Sequence, residues 1–170
     1  MIFDECTSGF RETLGGLHKK YGVEPDMAMF GKAMGNGYAI TATIGRREVM
    51  EAAQSTFISS TFWTERIGSV AALKTLEIME REKSWEKVTK IGKTITSKWK
   101  ELASEFSLDI SINGIPALSN FSFESDRFFQ YKTFISQEML KRGFLASNAV
   151  YVCTEHNENV LKEYEESLDQ

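Results

Sequence analysis

The sequence predicts an α/β fold with a largely parallel sheet, followed by a smaller α+β unit. Two observations support this prediction. Short apolar runs of strand length each end in a polar or glycine-rich loop, which is typical of buried parallel strands. From Ile67 onward, longer stretches with helical spacing replace this pattern. We therefore predict two parts, with residues 1–66 as a portion of a large sheet domain and residues 67–170 as a small α+β domain.

The first part contains three predicted strands and two short helices. Apolar runs of three to seven residues, several of them β-branched, indicate the strands, and glycine or proline marks the turns between them. Gly22 ends the first helix. The strands are predicted at Met1–Phe3, Met27–Phe30 and Tyr38–Ile44, and the helices at Leu17–Tyr21 and Arg47–Ala53.

The second part is predicted to combine four helices with three strands. In the first helix, four apolar residues recur every three positions from Val70 to Met79 and stay on one face. Ser84 suits the N-cap of the second helix, and Gly143 stops the third. The helices are predicted at Ile67–Glu82, Ser84–Phe106, Phe128–Lys141 and Asn157–Leu168, and the strands at Asp109–Ile112, Leu118–Glu124 and Phe144–Val152.

Composition argues against several classes of function. The 170 residues are 42% hydrophobic, which is enough for a packed core, and the net charge of −4 gives no basic surplus for nucleic acid. Cys6 and Cys153 are too few for a disulfide framework, and the two histidines lack the spacing of zinc ligands, so no metal is expected. Early acidic residues argue against a signal peptide, and no apolar run approaches the roughly 20 residues of a membrane span. We therefore expect a soluble cytoplasmic protein.

Lys32 is the residue that most suggests chemistry. It follows a predicted buried strand and lies in a glycine-rich turn. A lysine at the edge of a core is partly desolvated, which favours the neutral amine, and a neutral amine can attack an aldehyde to form a Schiff base. A carbonyl cofactor could therefore be attached at Lys32. The alternative is an ordinary solvated loop lysine, and position alone favours that alternative.

Asp4 also lies at the end of an apolar run. If the first two predicted strands are parallel neighbours, the strand ends that carry Asp4 and Lys32 open into the same crevice, and ligands bind in this crevice in such sheets. A carboxylate there could keep a cofactor ring nitrogen protonated, so that the ring accepts electrons from the substrate carbon. Taken alone, Asp4 would rather be a loop cap without a ligand.

Four segments around these two residues resemble the cofactor region of the class III aminotransferases, which use pyridoxal 5'-phosphate (PLP). Their order and spacing agree as well as their residue types. Among subfamilies, the chain looks most like glutamate-1-semialdehyde 2,1-aminomutase, and the resemblance covers nearly the whole chain. The segments are FDE at residues 3–5, TSGFR at 7–11, GVEPD at 22–26 and GKAMGNG at 31–37.

The resemblance implies the fold of a type I PLP-dependent transferase and assigns roles to five residues. Lys32 matches the lysine that forms the Schiff base with PLP and later moves a proton, and Asp4 matches the aspartate that binds the pyridine nitrogen. Cys6 stands where the family has a small aliphatic residue against one face of the ring. Thr61 matches a threonine that binds the cofactor phosphate of the neighbouring subunit in a homodimer, and Ser60 is a second candidate for that contact.

The resemblance also implies that this chain is the later portion of a longer protein. The earlier half of the large domain would supply a phosphate-binding loop, a second ring face and most substrate contacts, and the last helix is expected to stop early. The implied activity is amino-group transfer, or 1,2-amino migration, on a small amino or keto substrate. Two alternatives stay open: a non-catalytic fragment that at most dimerises, and a parent aminotransferase acting on another amine acceptor such as a nucleotide sugar.

Overall fold

The computed structural model describes all 170 residues, Met1–Gln170. They form two compact units, Met1–Glu86 and Lys87–Gln170. Each unit has a hydrophobic core of its own. The sequence predicted a division between residues 66 and 67, so the structure places the segment from there to residue 86 with the first unit.

Helix α2 (Ile67–Glu82) accounts for this difference. Its small residues Gly68 and Ala72 are buried, and Ala72 belongs to the core of the first unit. A Cβ atom on Gly68 would lie 2.4 Å from the carbonyl oxygen of Ala39, so the helix backbone approaches that segment closely. The predicted apolar stripe does not form the buried face, because Val70 at its start is 65% exposed. Small residues, rather than large apolar ones, fix where α2 packs.

The first unit contains a three-stranded sheet in the order β1–β2–β3. Strands β1 (Ile2–Asp4) and β2 (Met27–Phe30) are parallel, as predicted, and Asp4 lies opposite Met29. Strand β3 (Ala42–Gly45) is antiparallel to β2. The core beside the sheet is small. Its buried members are Ala28, Phe30, Met34 and Ala72.

Between β2 and β3 the chain turns instead of starting the third strand at Tyr38 as predicted. Asn36 and Gly37 both adopt positive φ angles, which bend the backbone out of the extended region. After β3, helix α1 (Arg47–Met50) is also shorter than predicted and continues as the 3-10 turn Glu51–Ser55. Two other 3-10 segments of the first unit are Leu17–Tyr21, which ends at Gly22 as predicted, and Lys32–Met34.

The second unit combines helices with a two-stranded antiparallel sheet of β4 (Ile110–Asn113) and β5 (Asn120–Phe123). The helices are α3 (Ser84–Glu105), which starts within the first unit, α4 (Phe128–Lys141) and α5 (Glu158–Leu168). All three agree with the predicted helices to within one residue. The buried core of this unit comprises Val88, Ile95, Trp99, Ala117, Phe121 and Val152. No helix of the chain is both long and apolar enough to cross a bilayer.

The strand predicted at Phe144–Val152 is wrong, because the segment forms a single bridge between Ala149 and Asn120. The Phe121 N–H donates to the Asn148 carbonyl at 2.9 Å, as in an antiparallel ladder. The Phe121 carbonyl, however, accepts the Asn148 side-chain amide at 2.8 Å. A side chain therefore occupies one acceptor that a ladder would use. The segment keeps only single backbone bonds, such as that from the Val150 N–H to the Ser119 carbonyl at 2.9 Å, instead of a regular strand.

Lys83 ends α2 in the left-handed conformation, with φ of +48°. A residue with a Cβ atom is strained there and glycine is not. We therefore expect Lys83→Gly to raise the free energy of unfolding by about 0.5–1 kcal/mol, because the relieved strain exceeds the extra chain entropy of glycine. Chemical denaturation checks this. Lys74→Gly, inside the same helix, is the matched control and should lose about 1 kcal/mol; a loss in both variants would contradict the strain at Lys83.

Candidate active site

Asp4 and Lys32 lie at the same edge of the sheet. Asp4 is the last residue of β1, and Lys32 follows the last residue of β2, Phe30, by two positions. Because β1 and β2 are parallel, their carboxyl ends open on the same side, where open α/β sheets bind ligands. The structure thus brings together the two residues that the sequence singled out.

The Asp4 carboxylate is stabilised as an anion. Its Oδ1 accepts the backbone N–H of Cys6 at 3.0 Å. That hydrogen bond lowers the pKa of Asp4 most, and a hydrogen bond from the Cys6 thiol and the charge of Lys32 lower it further. Burial raises the pKa of the Cys6 thiol, and its contact with Asp4 raises it as well. The edge therefore presents an ionised carboxylate beside a protonated thiol.

Lys32 presents its amine to solvent and to the loop that follows β1. Its Nζ donates a hydrogen bond to Thr7 Oγ1 at 2.5 Å. The partial burial expected of Lys32 is wrong for this chain, because the side chain is exposed. Its backbone is left-handed, with φ of +42°, a conformation that costs a residue with a Cβ atom about 1–2 kcal/mol. Such strain is concentrated at functional positions in proteins.

Sequence reasoning missed Glu5, which is only 4% exposed. Its carboxylate accepts the Ser8 hydroxyl at 2.5 Å and the His18 backbone N–H at 3.0 Å, and His18 Nδ1 lies 3.0 Å from the same oxygen. Burial opposes the charge on Glu5, but these hydrogen bonds outweigh burial and lower its pKa. The alternation of side chains along a strand could have predicted the burial of Glu5, because neighbouring residues point to opposite faces and Glu5 therefore points away from the face that carries Asp4.

Ser60 and Thr61 are not joined to Asp4 or Lys32 by any hydrogen bond or ion pair within this chain. Both are exposed, and Ser60 Oγ accepts the backbone N–H of Phe62 at 3.2 Å. Their segment carries several exposed apolar side chains. The apolar residues of this segment that are more than half exposed are Phe57, Ile58, Phe62 and Trp63, and Phe57 is 95% exposed.

The groups at this edge fit a cofactor that has an aldehyde and a basic ring nitrogen. An exposed primary amine can condense with an aldehyde, which suits Lys32. A carboxylate that stays ionised can hold a protonated ring nitrogen, which suits Asp4. Cys6 adds a small, soft side chain to the same edge. PLP has both functional groups, so the residues present fit it.

The lowered pKa of Glu5 makes stability depend on pH on the acid side. Unfolded Glu5 takes up its proton near pH 4.5, whereas the folded carboxylate resists protonation. The contribution of Glu5 to stability is therefore present above that pH and is lost as the pH falls through the lowered folded pKa. We expect Glu5→Gln to lower the free energy of unfolding by about 1–3 kcal/mol at neutral pH. Between about pH 5 and 3, the free energy of unfolding of this variant should fall less steeply than that of the wild type. Denaturation at a series of pH values measures both; an unchanged acid-side slope would contradict the lowered pKa.

Comparison with known families decides where the chain belongs. The family model described as Aminotransferase class-III matches residues 1–152, which is most of the chain. The chain belongs to the class III aminotransferases. Both candidate residues at the sheet edge, Asp4 and Lys32, lie inside the matched region.

Curated class III relatives resemble the chain over about two thirds of its length or more. The 3-aminobutyryl-CoA aminotransferase of Cloacimonas acidaminovorans is 41% identical over 133 residues, which cover 78% of this chain and 32% of that protein. The glutamate-1-semialdehyde 2,1-aminomutase of Sulfurihydrogenibium azorense is 30% identical over 121 residues, which cover 69% of this chain and 28% of that protein. The chain spans about a third of the length of these relatives.

Solved structures share the fold of this chain over almost its whole length. The FumI protein of Sphingopyxis sp., in its PLP internal aldimine form, superimposes with a TM-score of 0.92 at 24% identity, covering 99% of this chain and 41% of that one. An omega-transaminase from Sphaerobacter thermophilus gives 0.87 at 19% identity, covering 99% and 42%. The chain therefore has the fold of the corresponding portion of a fold type I transaminase, as the resemblance implied.

Proposed function

We propose that this chain supplies the Schiff-base lysine and the ring-nitrogen aspartate of a PLP-dependent aminotransferase. The observation that carries the proposal is the meeting of Lys32 and Asp4 at the carboxyl ends of two parallel strands. Membership of the class III family supports it. So does the fold shared with the Sphingopyxis protein, which was solved with PLP joined to it.

Each residue at the edge has a task in this proposal. When bound, PLP supplies an aldehyde and a ring that accepts electrons. Lys32 would hold the cofactor through its amine, and the same amine would hold and move the proton of the substrate carbon. The Asp4 carboxylate binds and orients the protonated ring nitrogen. Cys6 would supply a small, protonated thiol beside the ring.

We propose that the substrates are a small amino donor and a keto or aldehyde acceptor. The 41% identity to an aminotransferase supports transfer between two molecules. A second candidate is 1,2-amino migration within one molecule, which the TSGFR segment at residues 7–11 and the aminomutase relative favour. The two differ in stoichiometry: transfer releases one keto product for each donor consumed, whereas migration releases none.

We further propose a homodimer in which Thr61, and to a lesser extent Ser60, reaches the cofactor phosphate of the neighbouring subunit. Both hydroxyls are exposed and lie in a segment whose large apolar side chains also face solvent. Contiguous exposed apolar surface of this kind is typical of interaction sites. Phe57, at 95% exposure, is its most accessible member.

If that segment forms the dimer, Phe57→Ser should shift the chain from dimer towards monomer. Interface aromatic residues that fill a partner pocket contribute about 2 kcal/mol or more to association. Sedimentation velocity at several protein concentrations measures the change. Tyr21→Ser, which removes another exposed aromatic ring of the first unit, is the control and should leave the dimer intact. A dimer unaffected by Phe57→Ser would contradict the proposed interface.

The test of the proposed activity is the absorbance spectrum of the purified chain mixed with PLP. A band that is absent from free PLP, and that shifts when an amino donor is added, is the expected result. A spectrum identical to that of free PLP would overturn the proposal for this chain and leave the alternative of a non-catalytic fragment. Adding a keto acceptor then separates the two candidate reactions by their stoichiometry.

A further inference from the structure

We propose that Glu5 is a positioning residue for the Lys32 amine, a role that rests on the proposed function of Lys32. Glu5 does not reach the sheet edge itself. It holds the turn at residues 6–9, and Thr7 in that turn supplies the hydroxyl to which the Lys32 amine donates. Glu5 therefore acts on Lys32 through Thr7.

The Glu5 carboxylate is the central acceptor of this loop. Three donors meet it: the Ser8 hydroxyl, the His18 backbone N–H and the His18 ring nitrogen, at 2.5, 3.0 and 3.0 Å. With only 4% of the residue exposed, water cannot replace these contacts. Ser8 directly follows Thr7, so the bond from Ser8 to Glu5 restricts where the Thr7 hydroxyl can lie.

The backbone of Glu5 ties the same turn to β2, the strand that leads to Lys32. The Glu5 N–H donates to the Met29 carbonyl at 2.8 Å, and the Glu5 carbonyl accepts the Gly9 N–H at 2.8 Å. Gly9 closes the turn against Phe30, because a Cβ atom there would lie 2.8 Å from the Phe30 ring. Both the side chain and the backbone of Glu5 thus fix the turn relative to the end of β2.

Glu5→Gln tests the proposal with almost no change in shape. Glutamine offers one acceptor oxygen where glutamate offers two, and its amide group faces donors. In the absence of PLP, formaldehyde and borohydride methylate exposed lysine amines, and peptide mass spectrometry gives the rate at each lysine. The readout is the ratio of the methylation rate at Lys32 to the rate at the exposed Lys100. We expect this ratio to rise by up to about tenfold, the factor for the net contribution of one ordinary hydrogen bond. Thr7→Val should give the same rise, and Thr7→Ser should keep the original ratio.

Glu12→Gln is the matched control, because the Glu12 side chain is also 4% exposed and is paired with Lys20 at 2.8 Å. It should leave the ratio unchanged. A ratio unchanged in Glu5→Gln or in Thr7→Val, or raised equally in Glu12→Gln, would overturn the proposal. If Glu5→Gln does not fold, Ser8→Ala removes one donor and should raise the ratio in the same direction. Since the assay needs no PLP, its failure is distinct from a failure of the wild-type PLP spectrum.

Discussion

Lys32→Gly is expected to abolish covalent binding of PLP while raising the free energy of unfolding by about 1 kcal/mol. The amine at position 32 is the group placed beside Asp4 and Thr7 to condense with an aldehyde. Its backbone is left-handed at φ of +42°, and glycine adopts that conformation without strain. One substitution should therefore remove the chemistry and stabilise the fold.

Lys83→Gly is the control for this pair of effects. Lys83 is another exposed lysine with positive φ, and it lies at the end of α2 rather than at the sheet edge. Its glycine variant should gain stability in denaturation and keep the PLP absorbance band. If Lys32→Gly retained the band, Lys32 would not be the Schiff-base lysine; if it lost stability, the left-handed strain at Lys32 would be contradicted.

Trp99→Ala should be the most destabilising substitution in the second unit. The Trp99 side chain is 3% exposed, packs edge-on against Phe121 with ring centroids 4.9 Å apart, and donates from Nε1 to the Tyr164 hydroxyl at 2.8 Å. Removing the indole leaves a large cavity at the centre of this core and an unpaired tyrosine hydroxyl. We expect the free energy of unfolding to fall by about 3–5 kcal/mol, measured by chemical denaturation.

Tyr151→Ala is the matched control, because Tyr151 is 65% exposed and its loss should change stability by less than about 0.5 kcal/mol. Trp99→Phe separates the two contributions at Trp99, since phenylalanine keeps an aromatic ring but donates no hydrogen bond. Its loss should be intermediate. A Trp99→Ala loss no larger than that of Tyr151→Ala would contradict the assignment of Trp99 to the core.

Parts of the site could be predicted because local sequence determines them. A short apolar run ending in a polar residue indicates a buried strand, and two such parallel strands must open at one edge. That argument predicts that Asp4 and Lys32 lie together, and the parallel pairing of β1 with β2 agrees with it. The predicted bounds of α2 and α4 also agree with the structure, and Gly143 was the local signal for the end of α4.

Other features depend on contacts between distant residues. The segment after Gly143 has the composition of a strand, but the Asn148 side chain takes the carbonyl that a ladder would use. The burial of Glu5 depends on His18, which is thirteen residues away in sequence. The exposure of Lys32 depends on its contact with the turn around Thr7, which is 25 residues away in sequence. A sequence pattern within one segment cannot predict such contacts between segments.

Reduction of the PLP-treated chain with borohydride, followed by peptide mapping, tests the central claim most directly. Borohydride makes a lysine–PLP linkage permanent, so mass spectrometry can locate it. The account predicts one PLP-derived mass addition per chain, on the peptide that contains Lys32. An addition spread over exposed lysines such as Lys83 and Lys100, or absent from the Lys32 peptide, would contradict it.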